Sequence, residues 1–366
     1  MNFENMNNNK QYKCFVDNLL QWNLESNTRK MPWKGEKDPY KIWLSEIILQ
    51  QTRVEQGLNY YNNFIDNFPN IHLLANASET IIFKLWEGLG YYTRCKNLIA
   101  TANFISKELN GVFPDKYEDI LKLKGIGPYT AAAISSFAFN LPHAVVDGNV
   151  FRVLSRYFGI SIPIDSTNGK RIFTELANKL IDVKNPAVYN QALMDFGAII
   201  CKPQIPLCLN CVLQLECIAY NQSTVAILPV KEKKIIRKTR WFYYLIMEHA
   251  GKQYVRKRGA KDIWENLYEF ILIEKETPQL WEILKDHPEI KSLLNENTFE
   301  IEHISPGYKQ LLTHQIIHGQ FIKIKISKPL TGSTYEAMYP EEICKLPFPK
   351  FIATYLKDKN VSLNLF

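Results

Sequence analysis

Cys201, Cys208, Cys211 and Cys217 lie within one short stretch, separated by six, two and five residues. This spacing is too tight and too regular for a fold staple. Thiolates grouped in this way hold a metal ion or an iron–sulfur cluster, and the Cys-x2-Cys core taken alone also suits zinc. Whatever precedes this stretch must fold so that four sulfurs meet at its end. Cys14, Cys95 and Cys344 have no partner suggested by spacing and are read as structural thiols.

The 366 residues suffice for two domains of ordinary size. Seven cysteines, four of them clustered, do not resemble a secreted disulfide framework, so a reducing compartment is expected. The polar, Asn-rich start MNFENMNNNKQYK has no apolar core of a signal peptide, and no run approaches the length of a membrane span. A cytoplasmic location is therefore expected. The net charge of +7 permits a polyanionic partner without demanding one.

From Lys10 to about Ile200, apolar residues recur at three- and four-residue spacings, as in Tyr40–Gln51, Cys95–Leu109 and Gly169–Ile181. Breaks fall at Pro69, Pro114, Gly125–Gly127, Pro142, Pro163 and Pro186. The basic stretch LPVKEKKIIRKTR follows the cysteines and reads as a linker. From Trp241 the period becomes two: WFYYLIMEH, KQYVRKR, LYEFILIE, FEIEHI, LLTHQII and QFIKIKI read as strands, and TPQLWEILKDH and PFPKFIATYLKD as helices. The expected organisation is an all-helical domain over residues 1–224, a linker over 225–240 and a smaller α+β domain over 241–366.

Three segments can carry chemistry. In LKGIGPYTAAAISSFAF, Gly125 and Gly127 permit a tight turn and Pro128 suits the first position of a helix, leaving amides free to face a phosphate. A plain turn between helices would look the same. In VVDGNVFRVLSRYF, Asp147 stands where a helix N-cap is expected. In PYKIWLSEIILQQTRVEQ, Glu46 shares a helix face with Ile42 and Trp43; burial there would raise its pKa, whereas a solvated face would leave it an ordinary surface charge.

Taken together, the Gly-x-Gly turn, Asp147 about twenty residues on and the four closing cysteines resemble the helix–hairpin–helix DNA glycosylase superfamily with its 4Fe–4S loop. The segments WLSEIILQQT, GLGYY, VDGNV and ALMDFGA narrow the resemblance to the adenine DNA glycosylase family of the MutY type. The resemblance covers most of the chain, since IWENLYEF (Ile263–Phe270) is similar to a signature of that family's Nudix-like domain. No acidic Nudix hydrolase box is present, so a second hydrolytic activity is not expected. The implied fold is a multi-domain chain: an all-α helix–hairpin–helix glycosylase domain with an iron–sulfur loop at about 201–217, then a smaller α+β Nudix-like domain.

The resemblance implies base-excision repair. A monomer would act on duplex DNA carrying 8-oxoguanine:adenine or guanine:adenine mismatches and flip the adenine out of the stack. Glu46 would protonate the adenine and Asp147 would stabilise the oxocarbenium-like sugar, with Tyr129 and Asn149 positioning them. Gln51 and Tyr91 would wedge into the base stack, Asp195 would contact the base, and Gly125 and Gly127 would grip phosphates. Leu312, Thr313 and His314 would check 8-oxoguanine, and Cys201, Cys208, Cys211 and Cys217 would hold the 4Fe–4S cluster, ordering a loop that presents Lys202 to DNA.

The sequence departs from the family pattern at Lys124, where proline is usual, at Asp195, where glutamate is common, and at Leu312, where phenylalanine is common. Strand-cutting members of the superfamily place a lysine two residues after the second hairpin glycine. Here that residue is Tyr129, which provides no amine for a Schiff base. Two competing readings are a glycosylase-lyase for oxidised pyrimidines and a catalytically inactive DNA-binding or redox-sensing protein. Tyr129 and the C-terminal domain weigh against the first, and Glu46 with Asp147 against the second.

Overall fold

A computed structural model describes residues 8–232, 236–294 and 297–358. The helices are α1 (Asn8–Glu25), α2 (Pro39–Leu49), α3 (Val54–Asn67), α4 (Ile71–Asn76), α5 (Glu79–Leu85), α6 (Tyr92–Glu108), α7 (Tyr117–Leu121), α8 (Pro128–Phe139), α9 (Gly148–Tyr157), α10 (Thr167–Leu180), α11 (Pro186–Ile199) and α12 (Ile218–Asn221). Then come the strands β1 (Lys238–His249), β2 (Lys252–Lys257), β3 (Tyr268–Glu269) and β4 (Ile271–Lys275), followed by α13 (Trp281–Leu284) and α14 (Pro288–Leu294). The chain continues through β5 (Phe299–Ile304), β6 (Tyr308–Leu311), β7 (Gln315–Ile326), β8 (Glu336–Met338), α15 (Pro340–Ile343) and α16 (Lys350–Lys357).

The described residues fall into two compact units. One lies within Met1–Tyr61, Ile65–Ala75 and Ala100–Lys234, the other within Asn62–Phe64, Asn76–Ile99 and Ile235–Phe366. The expected linker includes residues 233–235, which lie outside the described residues, as do 1–7 and 359–366 of the expected domains.

In the first unit, α9 shows why the sequence folds as it does. Its apolar residues Val150, Val153, Leu154 and Tyr157 fall on one face and are buried against Phe15, Leu19, Phe173, Tyr189 and Phe196. Each such side chain contributes about 1.5–3 kcal/mol on leaving water. Helix starts are set by local chemistry. Asp38 caps α2 by accepting from Tyr40 N, and Pro39, Pro128 and Pro186 open their helices, where a missing N–H costs nothing. Between α7 and α8 the chain turns through Gly125 in the left-handed region (φ 78°), a conformation a side chain would strain.

The second unit is built on a mixed sheet with the path β3-β2-β1-β7-β5, to which β4 adds on β1, β6 on β7 and β8 on β2. β1 and β7 run parallel from Lys238↔Gln315 to Glu248↔Lys325, and the other pairs are antiparallel. A mixed sheet with central strands covered on both faces requires apolar residues without alternation, and Phe242–Met247 are indeed all buried. α13 and α14 bring Leu284, Ile290 and Leu294 onto one face. α16 brings Phe351 and Tyr355 against Phe321 on the other. The expected strand LLTHQII divides: Leu312–His314 make the turn of the β6–β7 hairpin, with Leu312 N bonded to Gln315 O.

The segment Asn76–Ile99, although helical, packs with this second unit. Lys84 Nζ donates to Leu346 O (2.9 Å), Phe348 N donates to Glu87 (2.9 Å) and Lys96 pairs with Glu265 (2.6 Å).

Candidate active site

A cavity of about 800 Å³ opens in the first unit, lined among others by Glu46, Tyr129, Asp147 and Asn149. Three helices bring these together. α2 carries Glu46 on its buried side with Ile42, Trp43 and Ile47. Tyr129 sits in the first turn of α8, directly after the glycine turn, and Asp147 and Asn149 stand at the start of α9.

Glu46 is only 6% exposed. Burial pushes its carboxyl up to about 7; a hydrogen bond from Tyr129 opposes this and the nearby Asp147 carboxylate adds to it. A carboxylic acid that holds its proton near neutral pH is suited to general-acid work. Tyr129 in turn is held well above its ordinary value by burial and by the two carboxylates, so it remains a hydrogen-bond donor.

Asp147 is the N-cap of α9 and also a cavity residue. Its Oδ1 accepts from Asn149 N (2.8 Å) and Val150 N (2.7 Å), and its Oδ2 accepts from Asn149 Nδ2 (2.7 Å). Burial raises its pKa and these donors oppose the rise. With one donor, Oδ2 retains a lone pair for an electrophile. The two carboxyls thus differ in solvation: Glu46 is buried and shifted towards its protonated form, Asp147 is donor-rich.

Behind the carboxylates runs a chain of contacts that the sequence reading missed. Arg152 Nη2 donates to Asn149 Oδ1 (2.8 Å) and Gly197 O (2.7 Å), and its Nε donates to Cys201 O (2.7 Å). One turn on, Arg156 donates to Lys202 O (2.7 Å), Leu228 O (3.0 Å) and the Cys201 sulfur (3.4 Å). Both arginines are buried. Two arginines four apart on a helix with one strongly apolar face were the available signal. α11 can approach α9 so closely because Gly197 lacks a side chain; a Cβ there would sit 2.6 Å from the Asn149 Cβ.

None of the four cysteines is in a disulfide. Burial raises Cys211, and Cys201, Cys217 and Cys208 each raise it further, so the sulfurs share one neighbourhood; Cys208 and Cys217 are raised in the same way. Thiols raised by one another ionise together only around a cationic centre, so the donor set is chemically suited to an iron–sulfur cluster. Among the described residues no three His, Cys, Asp or Glu side chains form a set for a single metal ion. Lys202 is the loop's sole cation between the outer cysteines, and Ile205, Leu209 and Leu215 are its most exposed large apolar side chains.

Gln51 and Tyr91 both adopt left-handed backbone (φ 56° and 49°) and are exposed. Such strain in non-glycine residues concentrates at functional sites. Gln51 lines the cavity of the first unit. In the second unit, Arg94 stacks on the Tyr91 ring, and the Tyr91 hydroxyl lies 2.6 Å from Thr313 Oγ1. Leu312, Thr313 and His314 form the β6–β7 turn, with His314 exposed. Gly125, Gly127 and Lys124 are exposed on the α7–α8 turn.

Asp195, expected beside the base, lies behind the cavity wall. It is fully buried, absent from the cavity lining, and engaged by four donors: Arg29 Nη1 (2.9 Å), Gln191 (3.0 Å), Lys34 Nζ (3.0 Å) and Asn27 (2.9 Å). Its short side chain keeps the carboxylate at the level of these partners.

Residues 44–179 match the family of HhH-GPD superfamily base excision DNA repair proteins, and residues 242–358 match the NUDIX domain. An adenine DNA glycosylase from Buchnera aphidicola subsp. Baizongia pistaciae is 38% identical over 295 residues, covering 80% of this chain and 83% of the relative. The chain belongs to the adenine DNA glycosylase family. Another member, from Buchnera aphidicola subsp. Acyrthosiphon pisum, is 35% identical over 315 residues, covering 85% of this chain and 87% of its own. A thermostable thymine-DNA glycosylase structure aligns with a TM-score of 0.55 at 31% identity, covering 59% of this chain and 99% of its own. A trapped endonuclease III–DNA covalent intermediate shares the fold (TM-score 0.52, 18% identity, 60% of this chain and 99% of its own). The two Buchnera relatives align over at least four fifths of this chain, and the two structures over about three fifths.

Proposed function

We propose that the protein is a monofunctional adenine DNA glycosylase that removes adenine mispaired with 8-oxoguanine or guanine in duplex DNA. The observation that carries this reading is the pair of unlike carboxyls on one cavity: Glu46 buried and protonated to about neutral pH, Asp147 beside it in a polar cradle. Flipped adenine enters the cavity, and Glu46 donates its proton to the base. The C1′–N9 bond then breaks with its electron pair leaving on the base. Asp147 Oδ2 stabilises the cationic sugar, with transient C1′–O capture, and water completes hydrolysis. Tyr129 orients Glu46, and Asn149 fixes Asp147. With tyrosine at position 129 there is no amine for a lyase step.

Gln51 and Tyr91 act as wedges that offset lost stacking, a role supported by their exposed, strained backbone. The Gly125–Gly127 turn and the α8 N-terminus hold phosphate. Leu312, Thr313 and His314 read the lesion opposite the adenine. Cys201, Cys208, Cys211 and Cys217 hold a 4Fe–4S cluster, supported by their spacing and shared neighbourhood. When bound, the cluster supplies a cationic anchor for the loop, and the chemistry of base removal rests on the cavity residues. In sequence, residues 1–224 supply the glycosylase domain, 225–240 the connection and 241–366 the lesion reader, with Asn76–Ile99 of the first packing with the unit that holds the last. The same reading makes the protein a cytoplasmic monomer; among the described residues no helix is long and apolar enough to cross a membrane.

Single-turnover cleavage of duplexes carrying 8-oxoguanine:adenine, guanine:adenine or thymine glycol, each with and without alkali, tests this. Alkali-dependent cleavage at adenine, fastest opposite 8-oxoguanine, is the expected result. Alkali-independent cutting at thymine glycol with adenine intact would overturn it.

A further inference from the structure

The turn between α7 and α8 is held from its inner side. Leu123 and Ile126 are buried, whereas Lys124, Gly125, Gly127 and Pro128 are exposed. Ile126 N donates to Leu123 O (3.1 Å), and Gly125 supplies the left-handed step. A further hold comes from α6, where the hydroxyl of Thr101 donates to Lys124 O (2.8 Å). A mid-helix threonine can bond a carbonyl one turn back in its own helix. This one instead bonds a residue 23 positions later. Thr101 is fully buried, as are Ala102 and Ile105 on the same helix, so the donor stands on a close-packed support.

Peptide geometry turns this contact into an orientation. Among the described residues only Leu228–Pro229 is cis, so the Lys124–Gly125 peptide is trans. In a planar trans peptide the C=O and the N–H point in opposite directions. With Lys124 O drawn inward to Thr101, the Gly125 N–H faces outward. Glycine has the least restricted φ of any residue, so the plane before Gly125 needs such an external hold. Among the described residues nothing accepts from Gly125 N or Gly127 N. A Cβ built at Gly127 would meet no atom within 4 Å, so the space in front of the turn is open.

We infer that Thr101 is a positioning residue for DNA binding: its hydroxyl holds the Lys124–Gly125 peptide so that the Gly125 N–H points at a backbone phosphate. This rests on the reading that the Gly125–Gly127 turn holds phosphate. The contact it sets is a neutral amide on a phosphate oxygen, which is directional and independent of base sequence. Loss of the hydroxyl leaves Lys124 O without this donor, and the peptide plane can then rotate about the flexible Gly125. The amide loses its aim while every charge on the turn stays in place.

The test is equilibrium binding of the full chain, as isolated, to undamaged duplex DNA by fluorescence anisotropy at several salt concentrations, with a melting curve for each variant. Thr101→Val keeps the shape without the hydroxyl and should bind about three- to tenfold more weakly, the range for one lost hydrogen bond. The factor should be the same at every salt concentration, because an amide displaces no counterion. Thr101→Ser keeps the hydroxyl and should bind like wild type. Gly125→Ala, which strains the turn itself, should weaken binding at least as much as Thr101→Val. Unchanged affinity in both Thr101→Val and Gly125→Ala would remove the reading that this turn holds phosphate. Unchanged affinity in Thr101→Val alone would overturn the inference, whatever its melting temperature. So would weak binding by Thr101→Ser, or a loss in Thr101→Val with a shallower salt dependence, which would place the effect on the Lys124 cation. Should Thr101→Val fail to fold, Thr101→Ala against Thr101→Ser, which differ by the hydroxyl alone, decides on the same terms.

Discussion

Replacing Glu46 by glutamine should abolish base removal while making the fold more stable above neutral pH. The carboxyl rises from 4.5 in the unfolded chain to about 7 in the folded one because burial disfavours its charge. A folded-state pKa above the unfolded value means that stability is fully present below about pH 4.5. It declines as pH rises through about 7 and levels off above that, because the unfolded chain releases its proton first. A shift of about 2.5 units corresponds to roughly 3 kcal/mol. Glutamine has similar volume, can still accept from Tyr129 and has no charge to bury, so it escapes this loss. Urea denaturation of wild type and Glu46→Gln at about pH 4.5 and about pH 8 reads the effect directly. The two should be nearly equal at the lower pH, with the variant ahead by roughly 3 kcal/mol at the higher one. A stability difference that does not change with pH would refute the claim that burial of this carboxylate raises its pKa. A variant that also kept wild-type single-turnover rates would refute its role as the acid.

Tyr129→Phe removes the donor that favours ionised Glu46, so the alkaline limb of the pH–rate profile should move up by about one unit, read by single-turnover kinetics. Asp147→Asn should lower the chemical rate by about 10²–10³-fold or more with little change in melting temperature, because asparagine caps a helix as well as aspartate does. Asp147→Ala should lose the rate and, in addition, about 1 kcal/mol of stability in denaturation. Gly197→Ala forces a Cβ against Asn149 and should cost about 1–3 kcal/mol in thermal unfolding together with a slower rate. Cys208→Ser should reduce bound iron and weaken folding or duplex affinity more than the rate on bound DNA; normal folding and affinity in an iron-free protein would refute the anchoring role.

Local signals carried much of this protein. Ile42 and Trp43, one turn before it, put Glu46 on a face with apolar neighbours but left open whether that face was buried, which the structure decides; the spacing alone singled out Cys201, Cys208, Cys211 and Cys217. Asp147 read as an N-cap, and it is one; the cavity gives the same side chain a second task that no local pattern reveals. Asp195 was placed beside the base by resemblance, and the tertiary structure instead surrounds it with donors from a segment some 160 residues earlier. Arg152 and Arg156 stand four apart on α9, and only the tertiary structure shows α11 and the cysteine loop covering them with carbonyls. The helical stretch Asn76–Ile99 showed only its own periodicity, and its grouping with the strand-rich unit depends on Lys84, Glu87 and Lys96 meeting partners more than 160 residues away. Sequence determined each segment's helix or strand, its caps and its apolar face, because those depend on neighbours within one or two turns. Only the tertiary structure decided which distant segment covers each face, and hence which carboxylate is desolvated, which is capped and which is locked behind two cations.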